Sequence, residues 1–340
     1  MFQTFDVTAR PEQAAPRIAA LRESFSALGI NAVLVPRTDA YQGEYVPRSA
    51  ERLAWLTGFT GSAGIALITE KEAIVFVDGR YTTQLTAQTD PALITGGDLV
   101  GAPPPEWLTE HRPKGLRLGI DPWLHTPSEV ERLEKALQEI GGELVLLAAN
   151  PVDPIWHDRP AEPAEPISVQ KTEFAGRPAA DKIAEIAGSL AAKKAGAVLI
   201  SDSTSVAWLF NIRGNDVVHT PAPLARAIVR ADGGAVLFIA PEKVTGEAAA
   251  YLDGLADVEA PDALEGALIA LAAAGKTLML DRASVPYAVI GILEAAGGQW
   301  VHAADPVVAL RAIKNEGEQA GARTAHLQDG AAMVSYLSWL

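Results

Sequence analysis

Asp78-Gly79-Arg80-Tyr81 is the sharpest chemistry-bearing run in this sequence. It follows an apolar stretch that reads as a buried strand, and it opens a helix. Side chains gather at such a strand end, and an arginine there can clamp a carboxylate through two parallel N–H donors. The competing reading is an aspartate N-cap, a glycine in the turn and an internal salt bridge to Arg80. A second run is Trp208-Leu209-Phe210-Asn211-Ile212-Arg213-Gly214-Asn215-Asp216. Its apolar residues belong to a core, but Asn211, Arg213 and Asp216 are not needed for packing. They form either a buried polar network or the lining of a substrate groove, and His219 just downstream favours a cleft. Asp39, Tyr41, Tyr45 and Arg52 make a third polar group, which reads as a loop.

Other chemistries lack their residues. A hydrolytic metal site needs several His, Asp or Glu side chains converging on one cation. The six histidines (His111, His125, His157, His219, His302, His326) are scattered, no two of them three to five apart, and HExxH is absent. His125 and Glu129 sit four apart, but Thr126-Pro127-Ser128 starts a helix between them. GxSxG does not occur; Gly61-Ser62-Ala63-Gly64 reads as a tight turn with close backbone packing. No GxGxxG or P-loop follows a strand.

The elements that must position these residues come in two echoes. Pro16–Leu28 is an amphipathic helix ended by Gly29 and followed by the buried strand Ala32-Val33-Leu34-Val35. Asp181–Lys194, Gly196 and Ala197-Val198-Leu199-Ile200 repeat the pattern. Each strand leads to an acidic residue (Asp39, Asp202), then to an Ala-Trp-Leu step and a glycine turn. Paired strands follow, Gly64–Ile68 with Ala73–Val77 and Ala225–Arg230 with Gly234–Ile239. The second pair is joined through Asp232-Gly233, which tolerates positive φ. Further helices are expected at Thr82–Thr89, Pro127–Ile140, Glu247–Asp253, Ala263–Ala274 and Pro286–Ala296, with strands at Leu116–Ile120, Glu143–Leu147 and Thr277–Leu280. This order, met twice, predicts two copies of one α/β unit with mixed sheets flanked by helices. Between them, Asn150–Pro166 carries five prolines and is expected to be a stiff extended connector anchored through Ile155-Trp156 and Asp158-Arg159. Gly96–Pro105 reads as a second Gly/Pro-rich loop.

Composition sets outer bounds. A length of 340 residues suggests two domains and a fragment of a third, and 49% apolar residues are ample for full cores. A net charge of −14 argues against nucleic acid and against an anionic membrane surface. With no cysteine there is no disulfide, thiolate nucleophile or cysteine zinc site. Met1-Phe2-Gln3-Thr4-Phe5-Asp6 lacks the basic and apolar regions of a signal peptide. Ala263–Leu280, broken by Glu265 and Lys276, is too short to span a bilayer. A cytoplasmic location is the expectation. Ala309–Leu340 reads as one long helix, increasingly apolar and without a stop signal, so the chain is expected to be the front of a larger protein.

Three groups of motifs together resemble a known family. Trp55-Leu56-Thr57-Gly58-Phe59-Thr60-Gly61-Ser62-Ala63-Gly64, with Asp78-Gly79-Arg80-Tyr81, is similar to the first domain of long-form Xaa-Pro aminopeptidases of the creatinase/pita-bread family. Ile155-Trp156-His157-Asp158-Arg159-Pro160 and Ala207–Val217 resemble the second domain. Ile313-Lys314-Asn315-Glu316, Ala325-His326 and Asp329-Gly330 resemble the first helix of the catalytic domain. The resemblance implies an α/β architecture of two tandem creatinase N-terminal-like domains (1–150 and 167–305), the linker 151–166, and the start of a truncated pita-bread domain at 306–340. It implies a cytosolic metallopeptidase that removes the residue preceding proline at a peptide N-terminus, using two divalent cations, often manganese. The ligands of those cations would lie beyond this chain, which is therefore expected to bind no metal and to carry no catalytic residue. Arg80, Tyr81, Asn211 and Arg213 are the candidates for shaping substrate access. The alternative is a free-standing interaction or dimerisation module without peptidase activity.

Overall fold

The computed structural model describes residues 9–111 and 113–340. The N-terminal hexapeptide used above to argue against a signal peptide lies outside the described residues. The chain divides into two units. The first runs to Pro163 and includes Arg282–Gly291; the second comprises Ala164–Asp281 and Ile292–Leu340.

In the first unit the order is α1 (Ala14–Glu23), α2 (Phe25–Leu28), β1 (Ala32–Pro36), α3 (Arg52–Thr57), β2 (Ile65–Thr69), β3 (Ala73–Val77), α4 (Thr82–Gln88), β4 (Thr95–Asp98), α5 (Pro104–His111), β5 (Arg117–Ile120), α6 (Pro127–Ile140) and β6 (Glu143–Leu146). The strands form one sheet in the order β4-β3-β2-β1-β5-β6. β1 is antiparallel to β2 and parallel to β5. Its run of apolar residues is explained by burial on both faces. Val33 and Val35 join a core with Ile18, Leu21 and Leu56, while Ala32 and Leu34 join another with Leu118, Val130 and Leu133. A central strand covered on both sides reads as continuously apolar for this reason. α6 starts with a full capping box between Thr126 and Glu129.

The second unit holds β7 (Ser168–Val169), α7 (Thr172–Ala175), α8 (Ala179–Ala192), β8 (Ala197–Ile200), α9 (Ser203–Leu209), β9 (Ile212–Arg213), β10 (Arg226–Arg230), β11 (Ala235–Phe238), α10 (Gly246–Leu252), β12 (Asp257–Glu259), α11 (Ala263–Ala273) and β13 (Leu278–Leu280). Then come α12 (Tyr287–Ala295), whose first residues group with the first unit, β14 (Trp300–His302), α13 (Pro306–Ala312) and α14 (Glu316–Trp339). Its six-stranded sheet runs β12-β11-β10-β8-β13-β14, with β8 antiparallel to β10 and parallel to β13. Position for position this is the order of the first sheet, so the internal duplication is real.

Three sequence expectations are corrected. The helix expected at Pro16–Leu28 breaks at Ser24, whose hydroxyl donates to Leu21 O at 2.7 Å and competes with the helical ladder. The expected loop Gly96–Pro105 contains most of β4 and the start of α5. The single helix expected over Ala309–Leu340 is two. Ile313 is extended, and Asn315 caps α14 in a box with Glu318, each accepting the other's backbone N–H at 3.0 Å. Past that cap, Leu327, Val334, Leu337 and Trp339 stand exposed. Among the described residues no helix is long and apolar enough to cross a membrane.

Candidate functional site

Because β1, β3, β4 and β5 run in the same direction, their carboxyl ends and the start of β2 share one edge of the first sheet. The Asp78–Tyr81 run leaves β3 at that edge. Asp78 accepts the Arg80 backbone N–H at 2.9 Å and takes both arms of its guanidinium, Nε at 3.1 Å and Nη2 at 2.7 Å. The hydrogen-bonded Arg80 head lowers the Asp78 carboxyl below the usual carboxylate range. Arg80 is thus both the internal salt bridge of the competing reading and a cation at the surface, its side chain 69% exposed. Tyr81, rather than Asp78, is the N-cap residue of α4. Its hydroxyl meets Ser62 Oγ at 2.5 Å and its ring packs edge-on against Phe59.

Asn211 and Arg213 lie in the second unit and belong to a buried polar network. Asn211 is 2% exposed and has left-handed backbone with φ 52°. Its Oδ1 accepts from Lys182 Nζ at 2.7 Å, and its Nδ2 donates to Arg177 O at 2.8 Å. Lys182 also donates to Trp208 O at 2.8 Å and sits 3.8 Å from the centroid of the Trp208 ring. Burial pushes the Lys182 ammonium down to about 8, against the opposing pull of Glu318. The Trp208 indole N–H donates to Glu318 Oε1 at 2.8 Å, which ties α9 to the first turn of α14. Arg213 donates to Ile212 O at 2.8 Å; burial lowers its guanidinium and Glu318 opposes this. Asp216 pairs with Lys243 at 2.7 Å, both side chains almost fully enclosed.

So the structure brings Arg80 and Tyr81 to a sheet edge, and sets Asn211 and Arg213 around Trp208. Sequence reasoning missed Lys182 and Glu318, the two charges that organise the network. Lys182 stands beside Ile183 on the buried stripe of α8, and a lysine on such a stripe is a signal that it has an internal partner. The third polar group dissolves: Arg52 makes a bidentate pair with Asp153 at 2.6 and 2.9 Å, while Asp39 accepts turn N–H groups. The connector is anchored as expected, with Trp156 stacked on Trp55 and Arg159 Nε donating to Ser49 O.

The same edge of the first sheet holds a cavity of about 560 Å³ that sequence reasoning also missed. Its walls come from the β1 end, the loop before β2, the β4–α5 segment and α6. His125, read above only as one of six scattered histidines, is 3% exposed and lines this cavity. Its Nε2 has no hydrogen-bond partner among the described residues. Burial lowers the His125 imidazole below its ordinary value, with Glu129 and Asp121 opposing. Among the described residues no group of three His, Asp or Glu side chains is placed so as to hold a metal ion.

Comparison with known proteins agrees with the duplication. Residues 17–149 and residues 158–318 each match a family model described as the creatinase/prolidase N-terminal domain. A probable Xaa-Pro aminopeptidase P of Penicillium rubens is 33% identical over 336 residues, 95% of this chain and 54% of that protein. One of Aspergillus fumigatus is 34% identical over 337 residues, 95% of this chain and 51% of that protein. The crystal structure of an X-prolyl aminopeptidase from Caenorhabditis elegans, described as a cytosolic enzyme with a di-nuclear active site, superposes with a TM-score of 0.89 at 29% identity. It covers 96% of this chain and 56% of that one. The chain therefore spans about half the length of the relatives it matches. Two matched domains in tandem, on two sheets of identical strand order, place the chain in the creatinase/prolidase N-terminal domain family, in the arrangement of an aminopeptidase P N-terminal portion.

Proposed function

We propose that this chain is the non-catalytic front of a cytoplasmic Xaa-Pro aminopeptidase. In the whole enzyme, two divalent cations, manganese by expectation, would serve hydrolysis of the bond before a second-position proline. The reading is carried by the similarity to aminopeptidases P along 95% of the chain. The scatter of potential metal donors fits it, since chemistry routed through two cations then falls to a separate catalytic domain. The chain's own residues would guide and hold. Arg80 offers an exposed cation at the rim of the first sheet, its orientation fixed by Asp78 and the Tyr81 ring. Asn211, Arg213 and Lys182 would fix the start of α14, the element expected to lead into the catalytic domain. The exposed apolar residues of α14 fit packing against that domain.

The test is turnover by the purified chain. With manganese and a peptide carrying proline in second place, no release of the first residue above background is expected. Manganese-dependent release would overturn the reading. The same apolar face of α14 also favours a second reading, a free-standing module that self-associates. A concentration-independent dimer in sedimentation would support that module, and a monomer or aggregate the aminopeptidase reading.

A further inference from the structure

The cavity at the edge of the first sheet is where an open α/β sheet is built to receive a ligand. From β1 the chain passes to β2 on one side, and β1's other neighbour is the parallel strand β5. The crevice outside the carboxyl ends of these two strands is a topological switch point, the position at which such sheets bind small molecules. The cavity adjoins that crevice within one unit of the chain, reached from the β1 end and from His125 after β5, and its volume of about 560 Å³ falls inside the range of ligand pockets, roughly 300–1,000 Å³. The wall is mostly apolar, with Pro36, Leu99, Pro104 and Leu133 among its residues. Such a wall suits an apolar body oriented by a few polar groups.

The polar groups select the chemistry of the head. Two arginines line the cavity. Arg132 is bound to Glu106 at 2.8 Å. Arg37 is held in place by its backbone N–H to Gly64 O at 3.1 Å and donates Nη1 to Glu44 O at 2.6 Å. Among the described residues its guanidinium is in ion-pair contact with no carboxylate, although Glu51 is its electrostatic neighbour and Glu44 and Glu129 share the cavity wall. His125 supplies the second polar group. Its Nε2 is buried and without a partner, and its Nδ1 is 3.9 Å from Glu129, too far for a hydrogen bond. The first turn of α6 is not open to an anion, because Glu129 already accepts from Thr126 N at 2.8 Å and Oγ1 at 3.1 Å. One guanidinium and one buried imidazole with an unpartnered Nε2 suit a monoanionic, planar head rather than a phosphate, which would call on more donors.

We propose that this cavity binds a small carboxylic acid with an apolar body, its carboxylate forked on Arg37 beside His125 and its body against the proline–leucine wall. The proposal does not depend on the peptidase reading.

Hydrocinnamate is a suitable probe, with its uncharged amide as the matched control, both titrated against the whole chain by calorimetry and by saturation-transfer NMR. Saturable binding of the acid is expected, with the amide and the Arg37→Gln variant each weaker by about tenfold or more, the effect of losing a charge-assisted fork. Leu133→Trp, which fills the cavity, should abolish binding. Arg117→Gln, at the opposite end of β5, should bind as the parent does. Circular dichroism of each variant separates lost binding from lost fold, and Arg37→Gln removes no core packing, so it decides the matter if Leu133→Trp does not fold. Absence of saturation up to about 10 mM acid, an affinity below any specific use, would overturn the proposal. So would equal binding of acid and amide, or an Arg37→Gln variant indistinguishable from the parent.

Discussion

Lys182 has no solvent exposure, yet it carries its ammonium into the middle of a protein unit. Two acceptors and an aromatic face compensate the charge, Trp208 O, Asn211 Oδ1 and the Trp208 ring. Its folded pKa, about 8, lies below the ordinary value of 10.5. Between those two values the unfolded chain holds a proton that the folded chain has released, so this residue's contribution to stability rises with pH through that window and is lowest below it. Lys182→Met leaves two buried acceptors without a donor. It should lower stability at neutral pH by about 1–3 kcal/mol, the cost of unsatisfied buried polar groups. Urea denaturation should show the gap to the parent widening from pH 7 to pH 9.5, because the variant lacks the titration. A gap that stays constant or narrows would show that folding does not lower the pKa of Lys182. Sequence reasoning left Asn211 and Arg213 between a buried network and a groove lining, and the structure shows the hydrogen bonds of the network. The partners could not be read off the chain because Lys182 lies 29 residues from Asn211, and Glu318 lies 110 residues from Trp208.

At the scale of elements, what was legible was whatever had a local cause. β1 and β8 are apolar runs after a glycine, and α6 opens on a capping box; each is written within a few residues. What was missed depends on neighbours. β4 is Thr-Gly-Gly-Asp, three of whose four residues disfavour strands, and it pairs as a strand along the parallel edge of β3. Gly97 is required there, since a Cβ would sit 2.5 Å from the Phe76 ring. The break between α13 and α14 is the opposite case, a local signal overridden in the reading by the apolar stripe on either side. Asn315 caps α14 and donates Nδ2 to Ala175 O at 2.9 Å, so it joins two helices with one side chain. Asn315→Ala should therefore cost more than an isolated cap, about 1–2 kcal/mol in total. Thermal unfolding checks the size. Amide exchange in the first turn of α14 should rise with it, and unchanged protection there would refute the joining role.

The whole molecule is one architectural idea used twice. Sheets of order β4-β3-β2-β1-β5-β6 and β12-β11-β10-β8-β13-β14 share the same pattern of parallel and antiparallel neighbours. That repetition was readable because periodic order survives divergence even where single residues do not. The cavity was not readable, because its walls are drawn from four segments spread between Leu34 and Leu133 that meet only when the sheet forms. Charge also acts at this scale. With a formal net charge of −14, the chain should bind an anion exchanger and leave duplex DNA unshifted at physiological salt. A salt-sensitive complex with DNA would contradict that expectation.

The bond between the Trp208 indole and Glu318 gives the last helix a built-in optical signal. An indole that loses a carboxylate acceptor and a cation over its face changes its emission. The difference spectrum between the parent and a Trp208→Phe variant would therefore report, in real time, whether the start of α14 is seated or released.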